Sequence, residues 1–254
     1  MAASPLAYGS LGKCSPQSPV HAGNRRIGDC PRFAQAQILE GRLSMKQELK
    51  IIGVNPVWIS ALLTSTFLIV CANGGENVHW GYLGFELIFP FYLSVVIGEW
   101  CKTRTDPIFE VIAAQSKSLF CWIVRRFLLL FGLVSIFAFA GMAGIILLKP
   151  NMSFGNLAIT FLPTAFFLSS LCVLISVITR AQHIPTMIVG VLWLFSVMSI
   201  SLLRFKAVQY FYLFARYAEI QEPVWIINKG ILLTAGIVCW ICTYVIIKKQ
   251  IWAK

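Results

Sequence analysis

FLLLFGLVSIFAFAGMAGIILL, residues 127–148, decides the fold class: it runs for 22 residues without an Asp, Glu, Lys or Arg and is bracketed by Arg125, Arg126 and Lys149. A helix needs roughly 18 to 20 apolar residues to cross about 30 Å of hydrocarbon. The stretch has no polar–apolar alternation of the kind a barrel strand requires, so its backbone groups must be paired along a helix. Four more runs free of those charges extend from Ile51 to Gly75, Pro150 to Thr179, Ala181 to Leu203 and Gly230 to Ile247. A sixth, Tyr82 to Gly98, is just long enough and carries Glu86 near one end.

The whole composition agrees. With 58% hydrophobic and 12% charged residues, the 254-residue chain has more apolar surface than one soluble core can hide, and its mean hydropathy is +0.77. The expectation is an all-α integral membrane protein with six transmembrane helices.

Lys and Arg set the orientation. With the segment before the first span on the inside, the inner loops and the end of the chain collect eleven: Lys46, Lys50, Lys102, Arg104, Lys117, Arg125, Arg126, Arg180, Lys248, Lys249 and Lys254. The outer loops collect five: Lys149, Arg204, Lys206, Arg216 and Lys229. Both termini are therefore expected in the cytoplasm, with the chain multi-pass in a cell membrane. The net charge of +11 then reflects topology and attraction to anionic lipid, not a nucleic-acid partner. Trp58, Trp80, Trp100, Trp122, Trp225 and Trp252 fall near the expected span ends, where an amphipathic ring prefers to lie.

Composition shifts at Met45, from a Ser-, Pro-, Gly- and Gln-rich mixture to a lysine-bearing amphipathic start that leads into the first span. Residues 1–44 are read as a disordered or non-native leader and 45–254 as the six-helix domain. Glu40-Gly41-Arg42 is encodable by a purine-rich tract with Leu43 and Ser44 as spacer, the pattern of a translated ribosome-binding site ahead of initiation at Met45.

Most of the legible chemistry lies between spans two and three, in GEWCKTRTDPIFEVIAAQSKSLFCWIVRR, residues 98–126. Asp106 and Pro107 form an N-cap and first-turn pair: the carboxylate accepts an orphan amide, and proline gives up a donor that had no partner. Ile108, Phe109 and Ile112 then fall on one side of a short amphipathic helix through Ala114. Such a helix either presents an apolar ridge to a cytoplasmic partner or rests on lipid headgroups.

On the outer side, residues 204–228 carry Phe205, Tyr210, Phe211, Tyr212, Phe214 and Tyr217 before Pro223, which reads as an aromatic re-entrant or interfacial hairpin. Glu86 is the one acidic residue inside an assigned span. About one turn from the outer interface, it is expected to be reached by water and to serve as an anchor or lid contact rather than a proton relay. Pro163 should bend the fourth span, and Gly132, Ala138, Gly141 and Gly144 give the third a face for close helix approach. His79 and His183 lack a second metal ligand within reach by sequence, and Cys239-x-x-Cys242 inside an apolar run reads as packing.

The chain contains no G-x-x-x-x-G-K-[ST], H-E-x-x-H or G-x-S-x-G motif and no intramembrane carboxylate pair, so it is not expected to be an enzyme. In its arrangement from Met45 to Lys254 it resembles the transmembrane subunits of bacterial ATP-binding-cassette exporters of the second type. The resemblance rests on the amphipathic start, six spans, the inner RTDPIFEVIAAQSKS loop, the aromatic hairpin followed by PVWIINK, and the Lys-rich end. It implies a permease that pairs with itself or a related subunit and docks two ATPase subunits, which would hold the ATP and Mg; this chain itself binds no cofactor.

The family likeness further implies that residues 106–114 form a coupling helix with Ile108, Phe109 and Ile112 as its ridge. Glu99, Arg104 and Glu110 would be its polar neighbours. Antimicrobial peptides or other amphipathic molecules, in self-immunity or efflux, are the substrates that the resemblance brings. The alternative is a single-chain secondary transporter or channel, which usually shows mid-membrane charges or broken helices.

Overall fold

A computed structural model describes residues 55–73, 79–100, 119–149, 152–179, 183–221 and 223–252. Among them there is no strand, and six helices are long and apolar enough to cross a membrane. Helix α1 is Asn55–Asn73. Helix α2 comprises a turn His79–Tyr82, a π-helical stretch Leu83–Ile88 and an α-helix Phe89–Trp100. Helices α3 (Leu119–Leu148), α4 (Phe154–Ile178) and α5 (Ile184–Met198) follow. After α5 come a 3-10 stretch Ser199–Arg204 and a short helix α6, Lys206–Phe211; the long α7, Val224–Trp252, closes the bundle.

Packing follows side-chain size. On α1, Ser60, Thr64, Phe67 and Cys71 recur at helical spacing and are buried, forming one stripe. The hydroxyls in this stripe donate back to their own helix, Ser60 to the Pro56 carbonyl at 2.6 Å and Thr64 to the Ser60 carbonyl at 2.8 Å, so they need no water. The facing stripe of α3 holds Gly141 and Gly144. A Cβ added at Gly144 would stand 2.7 Å from Leu68 Cδ2, and one at Gly141 would stand 3.0 Å from Thr64 Cγ2. The small-residue face expected on the third span therefore exists at Ala138, Gly141 and Gly144. Gly132 lies off it, with nothing near its missing Cβ.

Helix α4 is the hub, packing on both α2 and α7. Phe85, Phe89 and Phe161 fill the seam between α2 and α4, with Phe85 and Phe89 stacked at 5.3 Å and Phe89 edge-on to Phe161 at 6.5 Å. Pro163 is buried within α4, which continues through it. Helix α5 is the least covered of the long helices and turns Met187, Val191, Phe195 and Met198 outward. Exposed apolar side chains on a helix of this length are what lipid accommodates.

Charge-free runs understate three of the helices. Helix α3 begins eight residues before Phe127, because Arg125 and Arg126 sit on a continuous helix and the Arg126 guanidinium lies 3.8 Å from the centre of the Trp122 ring. Helix α2 runs past both ends of Tyr82 to Gly98, and α7 begins at Val224 rather than Gly230. Lys229, counted above among outer-loop charges, is thus inside a helix. The leader 1–44, the amphipathic start at Met45 and the expected coupling helix at residues 106–114 lie outside the described residues.

Candidate functional site: a buried ion pair and the segment it holds

Helix α2 abandons α-helical geometry over six residues, Leu83–Ile88, and Glu86 stands in that stretch. Such wide turns recur at functional positions because they re-aim a side chain and free a carbonyl. The Leu87 carbonyl accepts the indole N–H of Trp193 from α5 at 2.9 Å. The Glu86 side chain enters the bundle, where it is 0% exposed.

Its partner is Lys229 of α7, 2% exposed, whose ammonium lies 2.5 Å from Glu86 Oε1. Both charges sit beyond the first helical turn, Lys229 being the sixth residue of α7, roughly 8 Å along it at 1.5 Å per residue. The ammonium has three protons and three acceptors: Glu86 Oε1, the Thr164 hydroxyl at 2.8 Å and the Leu213 carbonyl at 3.2 Å. Thr164 comes from α4, so helices α2, α4 and α7 meet at one point. A buried charge is tolerated only with such pairing.

The expectation that water reaches Glu86 is thus corrected. Its role as an anchor is present, but with the carboxylate enclosed by protein. What it anchors is the chain between α6 and α7. Residues 213–219 make a single helical turn in which the Ala218 N–H donates to the Phe214 carbonyl at 3.0 Å. The first amides of such a turn have no partner within it. Glu86 supplies one: Oε1 accepts the Arg216 N–H at 3.1 Å, and Oε2 accepts the Tyr217 N–H.

At its other end the turn stops with Glu219 in left-handed backbone, φ 56°. The Ile220 N–H returns to the Ala215 carbonyl at 3.0 Å and the Glu219 N–H to Arg216 at 3.1 Å, the paired bonds of a Schellman ending.

Asn228, next to Lys229, serves the preceding stretch. Its side-chain amide reaches the carbonyls of Gln209, Tyr210 and Tyr212 at 3.2, 2.9 and 2.8 Å. The Arg216 guanidinium lies over the rings of Tyr82 at 5.4 Å and Trp225 at 5.2 Å. Trp225 is 1% exposed, so it is a packing partner inside the protein and not the interfacial ring expected from its place near a span end. Burial, then the Glu86 carboxylate and Tyr217, push the Tyr212 phenol up to about 12. The sequence had marked 204–228 as an aromatic hairpin; its interior is a broken backbone whose freed polar groups are met by side chains of α2 and α7.

Of the residues expected to couple to a partner, Glu99 alone is described. It ends the apolar part of α2 and lies 3.9 Å from His183 Nδ1 at the start of α5. Arg104, Asp106, Pro107, Ile108, Phe109, Glu110 and Ile112 are outside the described residues. No group of three or more His, Cys, Asp or Glu among the described residues is placed to hold a metal ion.

Sequence reasoning missed Lys229, Asn228 and Thr164. A signal was present in VWIINKGILL, where a lysine interrupts residues that are otherwise apolar on both sides.

The fold places the chain among multi-pass helical membrane proteins. No family model, no curated protein and no solved structure matches it.

Proposed function

We propose that the chain is the permease subunit of an ATP-driven exporter, pairing with itself or a related permease and docking two ATPase subunits at the cytoplasmic face. The observation that carries the reading is the amphipathic Asp106–Ala114 segment between the second and third of six spans, in a chain without a phosphate-binding loop of its own. Ile108, Phe109 and Ile112 enter a cleft on the ATPase, with Glu99, Arg104 and Glu110 fixing the register. Closure of the ATPase pair around nucleotide then moves the inner end of α2. Small amphipathic molecules such as antimicrobial peptides are the cargo class that the likeness to such exporters brings.

On the orientation read from Lys and Arg, the clamped segment between α6 and α7 belongs to the face opposite the expected coupling loop, an arrangement that supports this reading. The test replaces Ile108 and Phe109 with aspartate and measures co-purification with a phosphate-loop ATPase sought in the neighbouring genes. Binding and transport should both be lost; unchanged binding removes the coupling assignment.

The buried Glu86–Lys229 pair favours one other reading, a single-chain transporter driven by an ion gradient, since intramembrane charges often mark such pathways. Against it, the lysine's three protons are all taken, and both Glu86 oxygens are engaged by Lys229 and two backbone amides. Uptake by the lone chain in liposomes under an imposed gradient distinguishes the two.

A further inference from the structure

We infer that Glu86 is a positioning residue that makes the Tyr212–Ile220 segment follow helix α2, so that movement of α2 is delivered to the opposite end of the bundle as movement of this segment. The inference rests on the function proposed above for the source of the movement, but the docking itself stands on geometry alone.

Three observations lead to it. The carboxylate of Glu86 caps the 213–219 turn through two backbone amides, so it grips main chain rather than a side chain that can rotate away. The grip comes from a π-helical stretch, a wide turn of the kind that recurs at functional positions, and the same α2 runs on to Trp100, at the entrance to the expected coupling loop. From α7, Asn228 and Lys229 hold the start of the same segment through the Tyr212 and Leu213 carbonyls, and Asn228 also holds α6 just before it through Gln209 and Tyr210. The segment is therefore strung between two helices: α2 holds its amides and α7 its carbonyls. A displacement of α2 relative to α7 must either carry the turn along or break its cap.

The two charges are not interchangeable in this arrangement. Amides need an acceptor and carbonyls need a donor, so the carboxylate belongs at position 86 and the ammonium at 229. An ion pair serving only to neutralise buried charge would work equally well reversed.

The test places a cysteine at Ala218, in the turn, in the full chain co-expressed with its ATPase. Reaction with a membrane-impermeant maleimide added outside is followed over the background of the native cysteines. With Glu86 intact, labelling should be slow. In Glu86→Gln it should rise roughly tenfold or more, the scale of losing one charge-assisted hydrogen bond, while size-exclusion behaviour and ATPase co-purification are retained. Glu86→Asp, which keeps the charge but is one methylene shorter, should fall between and serves if Glu86→Gln does not fold.

The reversed pair, Glu86→Lys with Lys229→Glu, should remain fast. Trapping the ATPase with ATP and vanadate should change labelling of the parent and leave Glu86→Gln unchanged. Labelling in Glu86→Gln and Glu86→Asp equal to the parent overturns the inference, and so does a reversed pair that restores slow labelling. If Glu86→Gln speeds labelling but no form binds the ATPase or responds to ATP, the docking stands and the exporter reading falls.

Discussion

The indole N–H of Trp193 donates to the backbone carbonyl of Leu87 at 2.9 Å, and the same ring stacks on Phe91 at 4.8 Å. One side chain of α5 thus holds the wide turn of α2 and the α-helix that follows it. Trp193→Phe should keep the stacking and lose the hydrogen bond, leaving a buried carbonyl short of a partner at a cost of about 1–3 kcal/mol. Thermal unfolding of the purified chain checks the value. Trp193→Leu, which removes both contacts, should cost more than Trp193→Phe.

Glu86 and Lys229 should behave as a unit. Lys229→Met strands a carboxylate in a dry interior and Glu86→Gln strands an ammonium, so each single change should cost about 3–5 kcal/mol. The double variant should recover a substantial part of the sum in global stability, although the Arg216 and Tyr217 amides then have a weaker acceptor. A thermodynamic cycle over the four proteins measures the coupling. Additive effects would show that the two groups do not share one environment.

Asn228→Ala should act locally. Its amide serves carbonyls of Gln209, Tyr210 and Tyr212, so their loss should raise hydrogen exchange over residues 206–217 while the central turns of α3 and α4 stay protected. Exchange followed by mass spectrometry resolves the two regions.

Close helix approach makes a prediction by position. A Cβ at Gly84 would stand 2.7 Å from a ring carbon of Phe67, a rigid group that cannot bend away, so Gly84→Ala should destabilise by about 1–3 kcal/mol. Gly132 has open space at the same place, and Gly132→Ala should be neutral or slightly stabilising, as alanine favours helix. Paired melting curves separate them.

Tyr212 should give the chain a base-dependent stability. Its phenol is held neutral up to about 12 in the folded protein, against 10.0 ordinarily, by burial first and then by Glu86 and Tyr217. The folded state is thus penalised for ionising the ring. The contribution is fully present below pH 10 and is lost as the pH rises from 10 towards 12. Tyr212→Phe should remove this part of the alkaline loss. It should cost little at neutral pH, because the buried hydroxyl finds no hydrogen-bond partner among the described residues. Unfolding temperature against pH for the two proteins provides the measurement.

Hydropathy made the six helices legible because crossing lipid demands long apolar runs that few soluble elements need. It misplaced their ends where a charge is satisfied inside the protein. Lys229 cut the run Gly230 to Ile247 short by six residues because a count of charges treats every lysine as facing water. Arg126 cut the third because its stacking on Trp122 is invisible along the chain. Glu86 was noticed, but its partner is 143 residues away and no local spacing links them. The aromatic stretch after Arg204 announced a packed segment. Its dependence on two helices did not show, since carbonyls and amides carry no sequence signature.

The separation of Glu86 from Lys229 has a consequence for biogenesis. When the second hydrophobic segment leaves the ribosome, its carboxylate has no counter-charge, and a lone acid in hydrocarbon is costly. Neutralisation waits for 143 further residues of synthesis. The nascent bundle must therefore keep that acid in touch with water until α7 arrives, so a helix made much later completes the settlement of an early one.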